Sequence, residues 1–230
     1  YPVLTFAAGP TNSLRGAAWL TGASDVVVVD IGGTTSDVGV LVARFPRQST
    51  VHVDVGGVRT NFRMPDILSI GLGGGSLVRE TADGVTVGPD SVGFRLRSEG
   101  LIFGGETLTT SDIAVASGQA AFGDPARVAH LPPALVAEAR GAIDRLIDDA
   151  IDRMKTAPGD IPMILVGGGS VLVSATPQGV SDMMRPEHAG VANAIGAAIG
   201  QVSGEIDRIY NAPDAASREA ALADARAQAT

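Results

Sequence analysis

The stretch Val26-Val-Val-Val-Asp-Ile-Gly-Gly-Thr-Thr-Ser-Asp-Val-Gly-Val-Leu41 concentrates the residues that could do chemistry. A β-branched run delivers Asp30 to its end, a glycine turn reverses the chain, and Asp37 opens the returning strand. Gly32 and Gly33 let backbone N–H groups approach an anion, while Thr34, Thr35 and Ser36 add hydroxyl donors. The two carboxylates can hold a hydrated Mg²⁺ against a polyphosphate, both through water. The plainer alternative is a hairpin with a polar turn. Against it, two acids at the mouth of a buried strand pair are costly unless a cation uses them.

A second stretch, Met163-Ile-Leu-Val-Gly-Gly-Gly-Ser170, runs a buried strand into Gly167, Gly168 and Gly169. Such backbone can lie flat against the base or ribose of a nucleotide, with Ser170 beside it. A turn at a strand end is the alternative, and the first stretch is what argues against it. No lysine follows any glycine-rich stretch, since Lys155 is the chain's single lysine, and a Walker-type loop is thereby excluded. Gly71-Leu-Gly-Gly-Gly-Ser76 imitates a dinucleotide fingerprint, but its sixth position is serine. Leu77–Val87 then reads as strand and turn where that fold needs a helix. Gly73, Gly74 and Gly75 suit either a loop near substrate or phosphates, or a plain turn.

Arg59, Arg63 and Asp66 flank that loop, and arginines there can orient a carbonyl or carboxylate by bidentate bonding. Solvated or interface charges are the commoner fate of such residues. Asp112 is adequately explained as a helix cap. His52, His130 and His188 lack the spacing of a local metal motif, and His188, beside Glu187, suits a hinge or capping place.

These residues need elements to hold them. Asn12–Gly22 predicts a short helix capped by Asn12 or Ser13, with Leu14, Ala17, Ala18 and Leu20 as its apolar stripe. Strands are predicted at Val26–Asp30, Val38–Val42, Val51–Val55 and Ile161–Val166, around a glycine-punctuated, β-rich middle. Ser111–Ala121 predicts a helix, and Pro132–Pro158 the clearest one, with Val136, Ala139, Ile143, Leu146, Ile147, Ala150, Ile151 and Met154 at helical spacing. Pro186 and Glu187 open a further helix to about Tyr210, rich in small residues that allow close approach to a neighbouring backbone. The expected organisation is one lobe over 1–212 with a β-rich insertion around 45–110. An exposed, clipped helix over 213–230 follows it.

Composition sets the class. A chain of 230 residues, 45% hydrophobic and 18% charged, folds and has ample length for a core. A net charge of −8, no basic block and few aromatics argue against nucleic acid or an anionic membrane as partner. The absence of cysteine excludes disulfides, thiolate zinc and cysteine nucleophiles, and fits a cytoplasmic location. No apolar run approaches the ~20 residues of a membrane span. Tyr1–Ala8 lacks the charged start of a signal peptide, and the chain reads as a piece of a longer polypeptide.

The order of elements resembles the second lobe of the actin, sugar-kinase and heat-shock-chaperone ATPase fold, an α/β lobe with a mixed sheet flanked by helices. Asp30-Ile-Gly-Gly-Thr-Thr-Ser-Asp37 resembles its phosphate hairpin, and Ile164-Leu-Val-Gly-Gly-Gly-Ser170 its adenosine motif. Gly9–Leu20 and Pro186–Ala198 resemble the two small-residue helices that cross at the interlobe hinge. Within that fold, Gly57–Ser76, Val87–Gly93, Leu108–Ile113 and Gly190–Gly196 are similar to the hydantoinase and 5-oxoprolinase family, in its hydantoin-utilisation A type.

The resemblance implies an ATP- and Mg²⁺-dependent opening of a cyclic amide such as hydantoin or 5-oxoproline. Asp30 would order the metal's water shell and Asp37 position or deprotonate the attacking group. Gly32, Gly33, Thr34, Thr35 and Gly167–Ser170 would bind nucleotide. Alternatives in the same fold are an acetone-carboxylase-type subunit and a non-catalytic actin-like or chaperone-like ATPase. Such families carry a first lobe with its own Asp-x-Gly-Gly-Thr hairpin, and this chain has one hairpin of that kind, so a missing N-terminal lobe is expected to complete the site. A B-type subunit, a small cyclic-amide substrate and self-association are the other expected partners.

Overall fold

In the computed structural model, residues 7–49, 53–55, 58–60, 64–82, 84–200, 206 and 208–229 are described. In chain order the elements begin with α1 (Ala8–Thr21), β1 (Val26–Ile31), β2 (Ser36–Val42), β3 (Phe45–Pro46), β4 (Val53–Val55) and β5 (Val58–Thr60). There follow β6 (Ile67–Ile70), β7 (Ser76–Thr81), β8 (Gly84–Ser91), α2 (Leu96–Glu99), α3 (Thr110–Ala116) and α4 (Pro133–Met154). The last are β9 (Ile161–Val166), β10 (Val180–Met184), α5 (Ala192–Ala198) and α6 (Ala215–Ala229).

Strand parity builds three layers. Val27, Val29 and Ile31 of β1, with Met163 and Leu165 of β9, enter one core; Val26, Val28, Ile164 and Val166 enter the other. This is the two-residue period of strands buried on both faces. The sheet runs β10-β9-β1-β2-β3, with β6 also against β2. β1, β9 and β10 are parallel, and β2 returns antiparallel to β1, β3 and β6. The stripe Ala139, Ile143, Ile147, Ala150, Ile151 and Met154 of α4 fills the first core, and α1 and α5 cover the opposite face through Leu14, Ala17, Ala18 and Ala192. The sheet is mixed and flanked by helices, as expected.

α1 and α5 meet backbone to backbone. A Cβ on Gly16 would overlap the Ala192 carbonyl, and one on Gly196 the Asn12 carbonyl. Asn193 Nδ2 fastens the crossing, donating to Gly9 O (2.7 Å) and to Ser13 Oγ (3.0 Å). Gly196→Ala is expected to cost about 1–3 kcal/mol, as overpacking does. A thermal unfolding midpoint unchanged from the parent would show that the crossing yields freely.

Several boundaries differ from expectation. α1 starts at Ala8, so Asn12 and Ser13 lie inside the helix and cap nothing; Ala7 sits at its start with φ 58°. The predicted helix from Pro186 is confined to Ala192–Ala198, because His188 turns the chain at φ 67° into a 3₁₀ turn at Ala189–Val191. Residues 208–214 are irregular, short of the expected helix to Tyr210. α3 ends at Ala116, before the expected Ala121. β10 was not anticipated: Val180 is buried but the next two residues are exposed, a pattern too polar to stand out as a strand. Of the strand expected at Val51–Val55, Val53–Val55 forms, and residues 51 and 52 lie outside the described residues.

The chain divides into a unit through Ala198 and another from Ile199. The boundary expected at 212–213 falls inside the second unit. Within that unit, Tyr210 donates to Asp224 (2.7 Å) and Arg208 lies 5.5 Å from the Tyr210 ring centre. Among the described residues no helix is long and apolar enough to cross a membrane.

Candidate functional site

Antiparallel pairing sets Asp30 directly opposite Asp37, and β6 sets Ser69 opposite Asp37. Parity places Asp30 on the face covered by α1, where Ser13 is fully buried. Burial raises the Asp30 carboxyl above its ordinary value; the Ser13 side chain lowers it by hydrogen bonding, and the Asp37 charge raises it further. Ser69 Oγ donates to Asp37 Oδ1. Ser13 and Ser69 thus attend the two acids, with Asn193 behind Ser13, and no local sequence pattern marks any of the three for that place. Ser13 carried the signal of a cap, and Ser69 acquires meaning through register alone.

The hairpin apex is exposed at Gly33, Thr34 and Thr35. Gly32 N–H closes the turn onto Thr35 O (2.9 Å). Among the described residues, no acceptor reaches the amides of Gly33, Thr34 or Thr35, nor the two threonine hydroxyls. A cluster of amides and hydroxyls without internal acceptors suits an anion.

Gly73, Gly74 and Gly75 stand directly behind the apex. Gly74 N–H donates to Gly32 O (3.0 Å) and Gly75 N–H to Gly33 O (2.7 Å), while Gly73 N–H takes Ser76 Oγ (2.8 Å). Their amides are therefore committed to protein acceptors. A Cβ on Gly73 would stand 2.5 Å from Thr34 N, so glycine is what lets the two backbones stack. Ser36 Oγ donates to Leu72 O (2.6 Å), and Ser111 Oγ to Gly74 O (2.7 Å) from the start of α3. Asp112, fully buried, completes that start: it accepts from Thr109 N (2.7 Å), Thr109 Oγ1 (2.7 Å) and Ile102 N (2.8 Å). Its capping place is the one expected.

Gly167 follows β9, whose Val166 pairs with Asp30. Its amide donates to Ala189 O (3.0 Å), its φ is 89°, and a Cβ there would collide with Asp30 Oδ1 and Ile31 O. Gly169 N–H donates to Ile31 O (2.7 Å), and Ser170 is half-buried. Gly168 is exposed, and a Cβ there would touch nothing. The same is true of Gly33. At these two positions neither φ nor packing by the described residues demands glycine.

Asp66 lies elsewhere. It is four residues down β6 from the apex, about 13 Å along the strand. It accepts from Arg47 Nη2 (2.7 Å) and Nε (3.0 Å), and Arg47 also donates to Met154 O (3.0 Å) at the end of α4. Asp66 is a fastening of β3 and β6 to that helix. Arg59 contributes backbone to β5 and its side chain lies outside the description; Arg63 and His52 lie outside the described residues. Exposed His188 stands 3.8 Å from Glu187, and its backbone makes the turn before α5.

The donor set fits a hydrated divalent cation. Two opposed carboxylates share one face, one of them resisting ionisation through burial and its neighbour's charge. Among the described residues no group of three or more acidic or histidine side chains stands together to enclose a metal directly.

Parallel strands that end at the acids, the hairpin between them and the crossed helices behind form a lobe with the actin-like ATPase fold. Two solved structures share this arrangement at a TM-score of 0.66, a nucleotide-free acetone carboxylase and the ATP-dependent caprolactamase of Pseudomonas jessenii. They are 22% and 20% identical, covering 95% and 96% of this chain and 36% and 37% of theirs. Residues 1–121 match the hydantoinase/oxoprolinase family model, and the chain belongs to that family. It is also 33% identical over 119 residues to the acetophenone carboxylase gamma subunit of Aromatoleum aromaticum, spanning 50% of this chain and 16% of that subunit.

If Gly168 is kept free for a guest, Gly168→Val leaves the unfolding midpoint within about 1 °C, since it meets open space. Mg-ATP affinity of the full-length protein falls, by about tenfold for one displaced contact of roughly 1.4 kcal/mol. Equal affinity in calorimetric titration would remove Gly168 from the site.

Proposed function

We propose that this chain forms one nucleotide-binding lobe of an ATP-dependent cyclic-amide hydrolase. The observation that supports it most is the exposed apex of unpartnered amides and threonine hydroxyls beside two opposed acids. In this reading Gly33, Thr34 and Thr35 hold the phosphates, and Gly167–Ser170 lie along the nucleoside. Asp30 and Asp37 orient the water shell of Mg²⁺, which supplies charge neutralisation at the polyphosphate. Asp37, steadied by Ser69, positions the attacking group. Transfer of the terminal phosphoryl to the amide oxygen turns a poor electrophile into one that water can open, with phosphate leaving.

The remainder of the longer protein, a B-type subunit and self-association belong to the same proposal. A second reading, carboxylation of a ketone through its phosphorylated enolate, is favoured by the likeness to the acetophenone carboxylase subunit.

The deciding experiment measures ADP release by the full-length protein with hydantoin, 5-oxoproline and ε-caprolactam, then with acetone and acetophenone plus bicarbonate. ATP hydrolysis coupled to ring opening is the expected result. Coupling confined to ketones with bicarbonate moves the protein to the second reading. No ADP release with any of them, and no binding of Mg-ATP, sinks both.

A further inference from the structure

The block Val87–Gly93 stood out in the sequence and has no part in the chemistry above, yet the fold ties it to the hairpin. Gly33 O accepts from Gly75 N–H (2.7 Å), and Gly75 O accepts from Val92 N–H (3.0 Å). Two hydrogen bonds thus separate the phosphate apex from the end of this block. Gly93 turns the chain at φ 58°, its amide held by Ser91 Oγ (3.0 Å), and a Cβ built on it would stand 3.9 Å from Thr34 Oγ1. The turn is stiffened by Arg95 N–H on Val92 O (3.1 Å) and by the Arg95–Glu99 ion pair (2.9 Å). It delivers Phe94, 97% exposed.

The other described phenylalanines each have a companion. Arg15 lies 4.5 Å from the Phe45 ring centre, and Phe103 and Phe122 stack at 6.2 Å. Among the described residues Phe94 has none. The backbone of the turn that carries this bare ring is tied to the apex, and an exposed ring on it is available to whatever approaches Thr34.

We propose that Phe94 is a specificity-determining residue, on which the planar or apolar part of a small carbonyl compound packs while its oxygen faces the apex at Thr34. The inference rests on the function proposed above and deepens it. It selects uncharged, flat or aliphatic ring compounds over strongly polar ones, because the surface offered is a ring face with no polar partner of its own.

The test uses the full-length protein and the carbonyl compound that drives its ATP hydrolysis. Phe94→Ala is expected to raise KM for that compound by about 10- to 100-fold, the scale of losing a buried aromatic contact. The dissociation constant for Mg-ATP should stay within twofold, and Phe94→Leu should recover most of the loss. A binding readout runs beside it: Phe94→Trp should add to the parent's tryptophan emission a component that changes when the compound is added with Mg-ADP. An unchanged KM with silent emission overturns the proposal, as does a parallel loss of Mg-ATP affinity, which would make the turn a mere support for the hairpin. If the parent protein hydrolyses ATP with none of the compounds, the proposed function itself fails and this inference goes with it. A parent that turns over while Phe94→Ala is indifferent sinks the inference alone.

Discussion

Asp30→Asn is expected to lower ATP turnover of the full-length protein by about 10²–10⁴-fold while leaving the fold no less stable. The two effects have one origin. Asp30 is pushed toward its neutral form by burial and by Asp37, with Ser13 offsetting part of the push. A carboxyl whose folded pKa lies above the unfolded value of 3.8 carries no penalty below 3.8, where both states are protonated. As pH rises through the folded pKa, the folded state must hold an ion it disfavours, and stability falls. Asparagine removes that ion and keeps the shape. The variant and parent should therefore unfold alike in acid, with the variant gaining toward neutral pH. Thermal unfolding across that window and an ADP-release assay check both halves. Turnover within tenfold of the parent would place the chemistry elsewhere, and a large loss of stability at neutral pH would contradict the strain assigned to Asp30.

The second large effect is at Gly167. Alanine there meets Asp30 Oδ1 and Ile31 O together, and must adopt φ 89°. Left-handed backbone costs about 1–2 kcal/mol and the overlap about 1–3 kcal/mol more. For a unit of this size each kcal/mol lowers the midpoint by about 2–4 °C. Because the collision is with the carboxylate itself, Mg-ATP binding should be lost along with stability. Gly168→Val supplies the contrast one residue on, with binding weakened and stability kept. Equal midpoints for Gly167→Ala and the parent would mean that β9 and the hairpin are less tightly joined than their hydrogen bonds imply.

The parts that proved legible from sequence are those set by local pattern. The run Val26–Val29 marks β1 and the run Met163–Val166 marks β9, while α4 is marked by its stripe and the hairpin by glycines between two acids. Asp112 reads as a cap from its place at the start of a predicted helix, while its reciprocal partner Thr109 is given by the structure. What stayed hidden depends on partners distant in sequence. Ser13 reaches Asp30, Ser69 reaches Asp37 and Asn193 reaches Ser13 only once α1, β6 and α5 have docked on one sheet. Gly73–Gly75 suit a loop near substrate or phosphates as well as a plain turn, and it is the structure that commits the Gly74 and Gly75 amides to the hairpin and the Gly73 amide to Ser76 Oγ. Asp66 looked like a neighbour of that loop, but a strand holds the two apart. Small residues continue through the turn that His188 makes with its backbone, so the helical pattern from Pro186 extends beyond the helix itself.

The glycines of the site fall into two kinds, and selection would treat them differently. Gly16, Gly73, Gly167 and Gly196 are enforced by the protein's own atoms, which leave no room for a side chain. Gly33 and Gly168 are enforced by nothing among the described residues. In a lineage that ceased to use its nucleotide, the first group would stay fixed for as long as the fold was needed. The second would be free to drift, and the loss of the guest would be written there before anywhere else.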